Sequence, residues 1–300
     1  MIRKIKWKTQ LTVYCVIFFV VINFYYLKYL LCAEKYEAQE DLGSNEILVM
    51  SYNIRCWTVL DVGKKGWFYR ADLVIDNISL MEPDIIGFQE VTSGQYAYLK
   101  DNLPGYVGII SYRDLMPWSE GCPIFFNTSR YELIESQSFW LSDTPDKISK
   151  GWGAAEYRIC SYVILLDKKT NIKLSVFNTH LDHKSEEARI NGLKVIVNRM
   201  DQLEDMPTIL LGDFNSTEDM EAYEYIADIF LDVKYEAKKS MSGNTYHNWG
   251  KQLKGLPIDY VLVSKDCFDI YEYIVLKKNY AGTYPSDHFP VCAKMKIKDI

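Results

Sequence analysis

The chain has 300 residues, 48% of them hydrophobic and 25% charged, fractions that exclude wholesale disorder and collagen-like repetition. Its formal net charge of -6 argues against a broadly basic surface that grips nucleic acid by charge alone. The charge is uneven: residues 1–40 hold six basic and three acidic residues, which leaves the remainder with 28 basic against 37 acidic ones, a net of -9.

The chain opens with Arg3, Lys4, Lys6 and Lys8, followed by an uncharged run from Leu11 to Ile22 and an aromatic stretch from Asn23 to Cys32 broken only by Lys28. A positive segment before an apolar one predicts a secretory signal or an uncleaved signal anchor over residues 1–33. Leu31-Cys32-Ala33 is a poor small-residue cleavage site, so an uncleaved transmembrane helix is favoured, long enough to span if Lys28 snorkels. Basic residues on its N-terminal side would hold that end in the cytoplasm, leaving the body membrane-anchored and extracytoplasmic, or secreted if the leader is cleaved. Residues 34–45 are polar and read as a linker, and 46–300 as one domain.

In that domain, Ile47 to Asn53 reads as a buried strand. Arg70 to Met81 has helical apolar spacing and stops before Pro83. Asp84 to Glu90 is a second strand and Ser93 to Asn102 a short helix. Strands follow near 106–110, 122–127 and 132–140, and Tyr157–Asp167 with Ile172–His180 predicts a hairpin over Lys168–Asn171. Glu186 to Leu203 is the longest helix, with Ser185 as its N-cap and Glu186 and Glu187 in its first turn. A strand at Thr208–Leu211, a helix at Glu218–Ile229 and strands at 258–264, 270–276 and 289–297 complete an α/β pattern. Five cysteines (Cys56, Cys122, Cys160, Cys267, Cys292) lie in the body without a CxxC pair, and read as small buried hydrophobes rather than disulfides or a thiolate metal site. Trp67-Phe68-Tyr69, Trp118, Trp140, Trp152 and Trp249 fall in or near expected loops. Ordinary packing, base stacking and a lipid surface all remain open for them.

Four apolar strands end in polar, metal-capable or proton-active residues: Tyr52-Asn53, Gln89-Glu90, Asn178-Thr179-His180 and Gly212-Asp213-Phe214-Asn215. Sites in α/β folds form at the carboxyl ends of strands, so these residues are expected to converge. Glu90, Asp213 and Asp287 are carboxylate candidates for a hard divalent cation, with Asn53 and Asn215 as neutral oxygen donors. His180 and His288 are placed to move a proton or bond a phosphoryl oxygen, and Asp259 to orient an imidazole. Arg158 and Arg189 are phosphate-clamp candidates, and Asp182 and His183 could line the pocket.

Together, Met50-Ser-Tyr-Asn53, Asp84-Ile-Ile-Gly-Phe-Gln-Glu90, Asn178-Thr-His-Leu181, Leu211-Gly-Asp-Phe-Asn215, Ile258-Asp-Tyr260 and Ser286-Asp-His288 resemble the endonuclease/exonuclease/phosphatase family, the DNase I-like fold. The resemblance spans about residues 46–297. It implies a four-layer sandwich of two packed mixed β-sheets flanked by helices, and a phosphoester hydrolase that uses Mg2+, with Mn2+ or Ca2+ as alternatives. Carried over, Glu90 binds the metal beside Asn53, and Asp287 supports that side. Asp213 positions or deprotonates water and Asn215 holds the phosphate. His288, oriented by Asp259, contacts the phosphoryl oxygen, and His180 is a second histidine at the scissile phosphate.

The expected substrate is a phosphoester: nucleic acid, nucleotide, inositol phosphate or phospholipid headgroup. No obligate protein partner is inferred, and the membrane contact is expected through the N-terminal helix. The competing reading is a non-catalytic, membrane-anchored binding module on the same fold, which predicts erosion at the metal or proton positions. None is seen at Asn53, Glu90, His180, Asp213, Asn215, Asp259 or His288.

Overall fold

The computed structural model describes residues 45–298 together with Val16. The expected leader, Val16 apart, and the linker up to residue 44 lie outside the described residues. Among the described residues, no helix is long and apolar enough to cross a membrane.

In chain order the elements are β1 (Glu46–Asn53), α1 (Trp67–Met81), β2 (Ile85–Gln89), β3 (Val91–Thr92), α2 (Ser93–Asn102), β4 (Tyr106–Ile109), β5 (Glu120–Gly121), β6 (Ile124–Asn127), β7 (Tyr131–Trp140) and β8 (Ile159–Asp167). They continue with β9 (Ile172–His180), α3 (Glu186–Met200), β10 (Thr208–Asp213), α4 (Glu221–Ala227), β11 (Leu231–Asp232), α5 (Val233–Glu236), β12 (Lys239–Met241), β13 (Asp259–Val263), β14 (Phe268–Val275) and β15 (Val291–Ile297).

Two mixed sheets result, one in the order β12-β14-β15-β1-β2-β6-β4 and the other in the order β11-β13-β10-β9-β8-β7. Alternation along the strands decides what faces what. Ile47 and Val49 of β1 point inward with Ile85, Ile124 and Met295, against Val163, Leu174, Val176, Ile209 and Val261 of the other sheet. The opposite side chains point outward and are covered too, so the central strands are apolar on both faces. Tyr162, Phe177, Leu210 and Leu262 meet Leu193 and Ile196 of α3 and Ala222 and Ile226 of α4. On the other side, Asn77 of α1 donates to the Tyr52 hydroxyl at 3.1 Å. The layers are therefore helices, sheet, sheet, helices, the α/β sandwich that the family resemblance implied.

Two differences have local causes. Helix α1 starts at Trp67, not Arg70, because Gly66 supplies an extended N-cap and Trp67 packs edge-on against Tyr98 of α2, 5.6 Å between ring centres. The Trp67-Phe68-Tyr69 run is thus a helical turn with a buried first ring, not a loop. Trp140 likewise closes β7. All five body cysteines are free, with Cys122, Cys160 and Cys292 buried, as small hydrophobes are.

Parallel pairing brings the functional strand ends together. The β1–β2 register sets Asn53 beside Gln89, and the β9–β10 register sets His180 beside Asp213. Antiparallel β13 then places Asp259 opposite Asp213. The two sheets are joined by a polar clamp: the Asn178 amide donates to the Phe88 and Pro123 carbonyls at 2.7 and 2.9 Å, and Gln89 donates to Asn178 Oδ1 at 2.7 Å. Gly87 makes room for it, since a Cβ there would lie 2.9 Å from the Asn178 side chain.

Gly212 is tighter still. A Cβ at this position would sit 2.3 Å from the Thr179 carbonyl oxygen, a backbone atom that cannot swing aside. Gly212→Ala is expected to lower the unfolding free energy by about 1–3 kcal/mol, the usual range for overpacking. Urea titration of the two proteins checks it, and an unchanged midpoint would show that β9 and β10 can separate freely.

Candidate active site

The residues at the strand ends surround one cleft of about 370 Å³. Glu90, Arg158, His180, His183, Asp213, Asn215, Asp287 and His288 line it. Asn53 and Asp259 stand one layer behind, both almost fully buried.

Asn53 joins the two sheets. Its Nδ2 donates to Glu90 Oε1 at 3.1 Å and to Asp213 Oδ2 at 2.9 Å. Its Oδ1 accepts the Arg55 N–H at 2.9 Å, so the amide holds two carboxylates together and its oxygen is turned from them. Glu90 Oε2 accepts the Cys56 N–H at 3.1 Å and faces the Arg55 guanidinium at 3.6 Å. Burial opposes charge on Glu90. An imidazolium at His180 would favour it, but burial and Arg158 hold His180 well below its usual value, and therefore neutral. Arg55 and the Cys56 N–H then account for a Glu90 carboxyl below the ordinary carboxylate range.

On the facing wall, His288 Nδ1 bonds Asp259 Oδ2 at 2.9 Å while its Nε2 lies 3.8 Å from Asp213 Oδ2. Burial disfavours the imidazolium, but Asp259 outweighs it and pushes the His288 pKa up to about 10. Burial and the Asp259 charge raise Asp213 to about 7 against the pull of His288. Asp213 Oδ1 accepts the Asn215 N–H at 2.9 Å, and Asn215 Nδ2 approaches His180 Nε2 at 2.9 Å. Because an amide nitrogen only donates, the His180 proton sits on Nδ1. Arg55, Glu90 and Asn215 all adopt positive φ, 56°, 61° and 48°, backbone strain of the kind that collects at functional sites.

Arg158 is 6% exposed. Its guanidinium is 3.2 Å from His183 Nδ1, and Asp182 Oδ2 is 3.8 Å away, beyond hydrogen-bonding distance. Asp182 and Arg189 do not line the cleft. The Asp182 carboxylate is saturated by the N–H groups of Ala155, Glu156, Lys184 and Ser185, between 2.9 and 3.2 Å. Arg189 is buried against the Asp182 carbonyl and pairs with Glu186. Both hold the entry to α3, whose Ser185 cap accepts the Ala188 N–H at 3.1 Å.

Other lining residues come from segments without periodicity: Arg55, Arg113, Glu156, Tyr246 and Ile258 from loops, and Glu120 from the two-residue strand β5. Glu120 pairs with Arg113 at 2.9 Å, and burial together with Glu90 pushes it up to about 7. Arg70 is buried behind the cleft. It donates to the carbonyls of Ile54, Arg55, Cys56, Lys65 and Pro285, and so fixes the segments that carry Arg55 and Asp287. Its place at the start of a helical pattern hid this role.

The donor chemistry suits a hard divalent cation. Glu90, Glu120 and Asp287 offer carboxylate oxygens to one cleft, and atoms of Cys56, Glu90 and Glu120 lie within 4.8 Å of one another. Asp213, Asp259 and His288 are equally close, but there the imidazole proton is committed to Asp259, which makes an acid–imidazole pair and not a ligand set. Glu90 and Asp287 would hold the ion, with Glu120 beside them.

A family model described as the endonuclease/exonuclease/phosphatase family matches residues 50–288. The solved structure of a mannosyl-6-phosphatase from Bacteroides thetaiotaomicron VPI-5482 is similar at TM-score 0.78 and 30% identity, covering 83% of this chain and 99% of that one. A protein of Acanthamoeba polyphaga mimivirus is 28% identical over 258 residues, which are 75% of this chain and 90% of that protein. Nocturnin of Rattus norvegicus is 25% identical over 266 residues, 78% of this chain but only 59% of nocturnin.

Asn53→Asp would set a third carboxylate between Glu90 and Asp213. In EDTA the variant is expected to lose about 3 kcal/mol of stability, the scale of an uncompensated buried charge. Millimolar Mg2+ should then raise its melting temperature by more than it raises that of the wild type. Calorimetry in EDTA and in Mg2+ reads both effects, and equal Mg2+ shifts would contradict a cation seated beside Glu90.

Proposed function

The chain belongs to the endonuclease/exonuclease/phosphatase family, and from that premise we propose that it is a divalent-metal-dependent hydrolase of small phosphoesters, with a phosphorylated sugar-like alcohol as its substrate class. The observation that carries this reading is the pairing of carboxylates (Glu90, Glu120, Asp287) with cationic groups (His288, Arg158) in the lining of one cleft of about 370 Å³. That volume is near the lower end of small-ligand pockets. The likeness to a mannosyl-6-phosphatase over nearly that protein's whole length supports a small substrate further.

A bound cation supplies charge neutralisation of the phosphoryl oxygens. The chain's own groups do the rest. Asp213, steadied by the Asn53 amide and the Asn215 N–H, orients a water and accepts its proton. His288, kept cationic by Asp259, presents Nε2–H to the phosphoryl group and stabilises the charge that builds there. Arg158 holds a non-reacting oxygen. His180, neutral, accepts from Asn215 Nδ2, which also donates to the Leu181 carbonyl at 3.1 Å, and so holds the turn that carries Asp213.

A nuclease is the second reading, favoured by the nocturnin match and by the exposed aromatic rings of Trp57 and Trp118. A panel of a sugar phosphomonoester, an aryl phosphodiester and a single-stranded oligonucleotide, assayed with EDTA or Mg2+, separates the two. The monoester is expected to turn over fastest, and only with metal.

Asp213→Asn and His288→Gln should each lower kcat by about 10²–10⁴, the range for a positioned acid or base. Wild-type rates in both variants would remove these residues from the chemistry, and a preference for the oligonucleotide would remove the small-substrate reading.

A further inference from the structure

Three loops leave the cleft with large apolar side chains at their tips. The loop after β1 exposes Val59 and Leu60, both 83% accessible, and Val62. The loop between β4 and β5 exposes Leu115 at 87% together with Trp118, and the loop before β13 exposes Leu253. Soluble surfaces scatter such residues singly, whereas a gathered set marks an interaction site.

These tips are gathered because the loops share their roots. Arg55 starts the first loop, Arg113 and Glu120 bracket the second, and Tyr246 and Ile258 bracket the third, all of them lining the cleft. The loops also meet one another. The Trp57 N–H donates to Gln95 of α2 at 2.9 Å, while Ser93 in the same helical turn lines a groove with Leu115. The Lys65 ammonium lies 5.7 Å from the Trp249 ring, which links the first loop to the third.

Charge separates the rim from the rest of the domain. Lys64, Lys65, Lys251 and Lys254 stand among the apolar tips, against Asp114 and an Asp61 already paired with Arg55 at 3.1 Å. This positive excess sits on a body whose net charge is -9. Apolar tips flanked by lysines fit the boundary between acyl chains and anionic headgroups. A nucleic acid strand would call for aromatic platforms; the rim offers two exposed rings, Trp57 and Trp118, against the five aliphatic tips Val59, Leu60, Val62, Leu115 and Leu253.

We propose that the rim docks the domain on the surface of a bilayer containing anionic lipids, with the cleft mouth at headgroup level. The docking is independent of the catalytic reading and needs no turnover to be seen.

The test uses the full chain reconstituted in vesicles of phosphatidylcholine alone, or with about one third phosphatidylserine, and follows amide hydrogen exchange by mass spectrometry. The loops at 57–66, 113–119 and 250–257 are expected to exchange about tenfold more slowly on the anionic vesicles, while the turn at Lys168–Asn171 behaves alike on both. The triple variant Leu60→Asp, Leu115→Asp, Leu253→Asp should lose that protection and keep wild-type exchange in its strands. Equal exchange of the three loops on both vesicles overturns the proposal. Stronger protection of these loops by a single-stranded oligonucleotide than by lipid overturns it in favour of nucleic acid.

Discussion

One side-chain amide sets the geometry of the site. Asn53 ends β1 in one sheet, and its nitrogen reaches Glu90 on that sheet and Asp213 on the other, at 3.1 and 2.9 Å. The Glu90 and Asp213 carboxylates stand close to each other, and a donor placed between them offsets part of their repulsion. The same residue is held from behind, since Ser286 donates to its carbonyl at 2.7 Å. Asn53 therefore fixes Glu90, Asp213 and the Asp287-His288 loop relative to one another. The Gln89–Asn178 clamp does comparable work one residue deeper, across the gap that Gly87 leaves.

Around that strut the fold uses burial to assign opposite protonation states to two histidines. His180 and His288 are both buried and both near Asp213, 3.5 and 3.8 Å away. What differs is the second neighbour. Asp259 bonds His288 and favours the imidazolium, whereas Arg158 faces His180 and disfavours it. One ring becomes a fixed cationic donor and the other a neutral group that orients Asn215. A pair of like residues thus acquires distinct tasks from single charges placed beside them.

The strand ends were legible because buried strands carry their polar residues only where the chain leaves the sheet. Asn53, Glu90, His180, Asp213 and Asn215 stood out for that reason, and the sheet registers bring them together. Asp259 was legible as a lone acid at a strand start. Glu120, Arg113 and Tyr246 were not, because Arg113 and Tyr246 sit in irregular loops and Glu120 in a two-residue strand too short to show a pattern. Asp182 and Arg189 misled for a related reason. They lie beside His180 and His183 in sequence, but the turn into α3 consumes the Asp182 oxygens as backbone caps, and α3 carries Arg189 away from the cleft. Arg70 was hidden by the opposite effect: helical spacing explains an arginine at that position, and nothing local reveals the five carbonyls that gather on it.

The net acidity of the body takes on a specific meaning at the cleft. Its lining holds five carboxylates (Glu90, Glu120, Glu156, Asp213, Asp287) and four groups that carry positive charge (Arg55, Arg113, Arg158, His288). Burial raises Glu120 and Asp213 to about 7 and lifts Asp287 above its ordinary value, so a balance of -1 with all of them ionised is the acidic-group limit of the cleft, not its state at neutral pH. One divalent cation among the carboxylates would turn that limit to +1. In the proposed reaction such a cation would favour entry of an anionic substrate as well as polarise the ester. Arg55 and Arg113 are already committed, Arg55 by a hydrogen bond to Asp61 at 3.1 Å and Arg113 by its pair with Glu120 at 2.9 Å. Only Arg158 keeps its guanidinium clear of a hydrogen-bonded carboxylate, and for that reason it is the cation in this cleft best able to turn toward a phosphate.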